Sequence, residues 1–171
     1  FCSKDGSGKV VLLVDTTDEL SESQKVRLKI ELETISETSQ KRTQPILRRG
    51  DKLTLYFLMP EGNMPKKVFA MCNPGDVNNR NWLASLSESE KLAQLKWLEF
   101  AESSLDQLNE AIARTGPAAT SPIYEALQYI RAAEFPPEVL IDDAQNARLI
   151  IWSDLIQNSS NLNFFKETND S

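Results

Sequence analysis

Apolar residues first gather at Val10–Val14, inside the run Lys9–Asp15 (KVVLLVD), and that run ends on a carboxylate. Apolarity without alternation predicts a strand buried on both faces, as in the middle of a parallel sheet covered by helices. Ser21-Glu22-Ser23-Gln24 is a capping-box pattern and predicts a helix to about Thr38. Two periodicities compete there. Val26, Leu28, Ile30 and Leu32 alternate as in a strand, whereas Leu28, Leu32 and Ile35 share one helix face. The Glu/Lys/Gln-rich composition favours the helix. After the Gly50-Asp51 break, Lys52–Met59 (KLTLYFLM) predicts a second strand. Lys66–Cys72 (KKVFAMC) predicts a third, returning as a hairpin through the loop Pro60–Pro65.

Cys72-Asn73-Pro74-Gly75-Asp76 is dense in turn formers, and Ser87-Glu88-Ser89-Glu90 then caps a long helix to about Arg114. Leu92, Leu95, Leu98, Ala101, Leu105, Leu108 and Ile112 recur at steps of three and four, which predicts one stripe facing the core. The segment TGPAAT (115–120) breaks the pattern. Ser121-Pro122 starts another helix, with serine as N-cap, proline in the first turn and Ile123, Ala126, Leu127 and Ile130 as the buried face. Ala147–Ser153 (ARLIIWS) is a further strand, buried with its Trp152, and it ends at Asp154. Residues 1–8 read as a flexible lead-in, and the tail Leu155–Ser171, with Phe164-Phe165, as a short helix.

These elements predict one α/β domain over residues 9–171: a doubly wound, mostly parallel sheet flanked by helices, with one short antiparallel edge strand. Chain direction then gathers chemistry. The first strand carries Asp15 to the carboxyl edge, the long helix returns Thr120 and Ser121 to it, and the last strand delivers Asp154. Ligands of open α/β sheets bind at that edge. Carboxylates and hydroxyls converging there suit a hard cation such as Mg²⁺ or Mn²⁺, held by oxygens and water.

Composition narrows the chemistry. The 171 residues hold no histidine, which excludes Ser-His-Asp and Cys-His catalysis and most zinc sites. A net charge of −6 argues against nucleic acid as a partner. The apolar runs are too short to cross a bilayer. Cys2 and Cys72 form no CxxC motif. They are either unrelated thiols or, since the traced topology puts both at the amino edge, a disulfide formed in an oxidising compartment. Phe1 opens the chain without methionine, so an upstream segment is expected, and an extracytoplasmic or membrane-anchored location is favoured over a cytoplasmic one. Trp82, Trp97 and Trp152 read as core or loop anchors, and Tyr124 and Glu125 as helix surface.

VVLLVDTTDEL, TSPIYEAL and LIIWSDL, in that order, resemble the three metal-site segments of the von Willebrand factor A domain family. The resemblance covers about Lys9 to Asn158. It implies a metal-ion-dependent adhesion site in which Asp15 and Thr17 occupy the first and third positions of the opening motif. Ser121 would be the loop hydroxyl and Asp154 the last carboxylate. Glu19 stands where the family has a second serine, either as a direct ligand, in place of a water, or as the mark of a site that holds no metal. The family's two further strands have little sequence left here, so either the domain is incomplete at its C-terminal end, as part of a longer protein, or it is a shortened variant of the fold.

The function implied is a non-catalytic protein-binding module whose metal completes its coordination with an acidic side chain of a protein partner. One alternative is a metal-dependent nuclease of the PIN class, with Asp15, Glu19 and Asp154 holding the metal that activates a water. Another is a metal-free scaffold of the same fold, with Asp18 and Glu19 as a solvated turn and Asp15, Ser121 and Asp154 as caps. A haloacid-dehalogenase phosphatase is excluded, because Asp15-x-Thr17 lacks the second aspartate.

Overall fold

The computed structural model describes residue 2 and residues 8–36, 46–75, 90–136 and 147–159. Along the chain lie β1 (Lys9–Asp15), α1 (Glu22–Ser36), β2 (Lys52–Leu58), β3 (Lys66–Cys72), α2 (Glu90–Ile112), α3 (Ile123–Glu134) and β4 (Ala147–Trp152). The strands form one mixed sheet in the order β3-β2-β1-β4. β1 runs parallel to β2 and to β4, and β3 pairs antiparallel with β2. The described residues are thus α/β, with three parallel strands and one antiparallel edge strand. Among the described residues no helix is long and apolar enough to cross a membrane.

Strand parity divides the core. Val10, Leu12, Val14, Leu53, Leu55 and Phe57 pack with Leu28, Leu32 and Ile35 of α1 and with Phe100 and Leu108 of α2. Val11, Leu13, Tyr56 and Leu58 pack with Ile123, Ala126 and Ile130 of α3. β1, buried through Val10–Val14, feeds both clusters, which is why its apolar run does not alternate.

In α1 the helical period prevails. Leu28, Leu32 and Ile35 are buried, while Val26 and Ile30 are exposed. Its start is a reciprocal cap, in which the Ser21 N–H donates to Gln24 Oε1 at 2.8 Å and the Gln24 N–H to Ser21 Oγ at 3.3 Å.

The stripe expected along α2 is not the buried one throughout. Leu92, Leu95 and Leu98 are exposed, and the buried face runs through Phe100, Ser104, Leu108 and Ala111. Aromatic contacts set this rotation. Phe100 meets Phe69 of β3 edge-on at 5.7 Å, and Trp97 stacks on Phe100 at 5.8 Å. β4 is likewise not the buried strand expected. Among the described residues it is an edge strand, with Leu149 and Ile151 exposed and Trp152 half-buried. Residues 155–159 are not helical, while the Ser87 cap, Trp82 and residues 160–171 lie outside the described residues.

The amino edge is tied by covalent and polar links. Cys2 and Cys72 are joined as a disulfide, with Cα atoms 5.3 Å apart. Buried Asp51 accepts the N–H of Gly8 and the N–H of Arg48, each at 2.7 Å.

Candidate functional site at the carboxyl edge

Asp15 ends β1 and is nine-tenths buried, so its carboxylate needs partners. Four arrive from three stretches of chain. Oδ1 accepts the Thr17 N–H at 3.0 Å and the Thr17 hydroxyl at 2.7 Å. Oδ2 accepts the Ser121 hydroxyl at 3.2 Å and the Ser153 hydroxyl at 3.0 Å. Parity explains the meeting. Val14 and Trp152 are register partners facing the α1–α2 cluster, so the next residues, Asp15 and Ser153, turn towards the α3 side, where Ser121 precedes that helix.

Each contributor is held from behind. Thr16, fully buried, donates both its N–H (3.0 Å) and its hydroxyl (2.8 Å) to the Leu58 carbonyl, locking the tips of β1 and β2 together. The Thr17 carbonyl accepts the Ala118 N–H at 2.8 Å, which draws the TGPAAT segment over the turn. Ser121 and Asn158 exchange backbone hydrogen bonds at 2.7 and 2.9 Å.

Ser121 is not the N-cap of α3. That position is Pro122, and it supplies no side-chain cap. Gln157, 3 % exposed, supplies one from outside the helix by accepting the Tyr124 N–H at 2.7 Å. Its amide also donates to Glu125 Oε2 at 2.9 Å, and Ser159 donates to Glu125 Oε1 at 2.7 Å. Glu125 is therefore a half-buried acceptor rather than ordinary helix surface. With capping delegated to Gln157, the Ser121 hydroxyl is released to serve Asp15.

A cleft of about 390 Å³ opens beside this cluster, lined among others by Asp15, Asp18, Glu19, Arg27, Trp152 and Asp154. Of the five residues expected at a metal site, Asp15, Thr17 and Ser121 are brought into hydrogen-bond contact. Glu19 and Asp154 are exposed on the cleft wall, and Asp154 Oδ1 accepts the N–H of Ile156 at 2.9 Å. Ser153 was missed. The structure's parallel register, extended by one residue from Val14 and Trp152, sets it level with Asp15. Among the described residues, no group of three or more His, Cys, Asp or Glu side chains is close enough to hold a metal ion. Any cation here would have to draw on hydroxyl oxygens.

A second polar cluster lies under α3. Glu134, 3 % exposed, accepts the Tyr56 hydroxyl at 2.7 Å and pairs with Lys67 at 2.5 Å and Lys52 at 3.6 Å. Burial pushes the Glu134 carboxyl up, but the bonds from Lys67 and Tyr56 and the charge of Lys52 outweigh it and hold it below its ordinary value. The bond to Glu134 raises Lys67, while burial is the main cause that pushes Tyr56 up to about 12. Every member is partnered, which suits a structural role.

Comparison with protein-family models, curated proteins and solved structures finds no match.

Proposed function

We propose that this chain is a non-catalytic protein-binding module of the doubly wound von Willebrand factor A type, with its contact site at the carboxyl edge. The observation that carries this reading is the convergence of Thr17, Ser121 and Ser153 hydroxyls on Asp15 beside an acid-lined cleft. One carboxylate and three hydroxyls are hard oxygen donors, the chemistry that Mg²⁺ or Mn²⁺ takes when water fills the remaining positions. Asp15, Thr17, Ser121 and Ser153 would hold the ion, with Glu19 and Asp154 on the cleft wall as further acids. The bound cation would supply an open position for an acidic side chain of the partner. The Cys2–Cys72 disulfide supports an oxidising, extracytoplasmic setting.

Thermal unfolding with Mg²⁺ or Mn²⁺ tests the metal. A ligand that binds only the native state at 100 times its Kd adds about 2.7 kcal/mol. A saturable rise in melting temperature is expected in the wild type and none in Asp15→Ala. One observation favours a second reading, a metal-free scaffold: both oxygens of Asp15 already accept hydrogen bonds within the chain. An unchanged melting temperature in both proteins selects that reading.

A further inference from the structure

We draw no further inference here: the strongest candidate, the outer edge of β4 with its exposed Leu149 and Ile151, has no strand against it among the described residues, and nothing in those residues shows what covers it.

Discussion

Ser153 Oγ donates to Asp15 Oδ2 at 3.0 Å and so joins the tips of β4 and β1 across 138 residues of chain. Ser121 donates to the same oxygen from in front of α3. Hydrogen bonds to a charged acceptor are stronger than neutral ones. Ser153→Ala and Ser121→Ala should each cost about 1–2 kcal/mol. Because the two hydroxyls share one acceptor, either partly compensates for loss of the other. The double variant strips Oδ2 of both and should lose more than the two single losses combined. Urea unfolding of the three variants measures this, and strict additivity would contradict a shared acceptor.

The Glu134 cluster predicts a pH dependence. A carboxyl held below its ordinary 4.5 in the folded chain adds stability that is fully present above pH 4.5. That stability is lost as the pH falls through the lowered folded value. Tyr56 and Lys67 have the opposite sense. Both are raised in the folded chain, so their contributions are complete below pH 10 and 10.5 respectively and fade as the pH rises through the folded values. Glu134→Gln should cost about 2 kcal/mol at pH 7, less than the ~3–5 kcal/mol of breaking a fully buried pair, because half-exposed Lys67 can turn to solvent. It should also flatten the acid limb below pH 4.5. Denaturant unfolding of both proteins from pH 3 to 7 reads the two effects; parallel curves would remove Glu134 from the account.

What could be read from the sequence follows from how local each signal is. The capping box at Ser21 and the apolar run of β1 are short-range patterns, and both elements form where those patterns stand. Strand direction, which decides what meets at the carboxyl edge, also follows from element order, and Asp15, Thr17 and Ser121 do meet. The failures are non-local. Phe69 lies in a different element from α2, yet it sets which α2 face is buried. Gln157 caps α3 from 33 residues downstream of Tyr124 and thereby frees Ser121. Neither partner can be named from a window of ten residues.

The rotation of α2 buries the face of Phe100 and Leu108 and leaves Leu92, Leu95 and Leu98 exposed. Phe100→Ala removes a fully buried ring wedged against Phe69 and Trp97, and should cost about 3–5 kcal/mol. Leu95→Ala changes a side chain that is 54 % exposed and should stay within about 0.5 kcal/mol of the wild type. Urea midpoints compare them directly. A large loss from Leu95→Ala would restore the stripe that the leucine spacing suggests.

The disulfide is the remaining constraint with a large expected effect. Cys2 and Cys72 stand 70 residues apart, and closing a loop of that length removes denatured-state entropy worth about 4 kcal/mol. The bond also anchors the start of the chain to the end of β3, next to where the Gly8 N–H enters the Asp51 site. Cys72→Ser should therefore lower the melting temperature, and added reductant should lower it in the wild type but not in the variant. A thiol titration of the unfolded, unreduced wild type should find no reactive thiol. Two titratable thiols, or a melting temperature indifferent to reductant, would mean that the chain is held at its amino edge by Asp51 and backbone pairing alone.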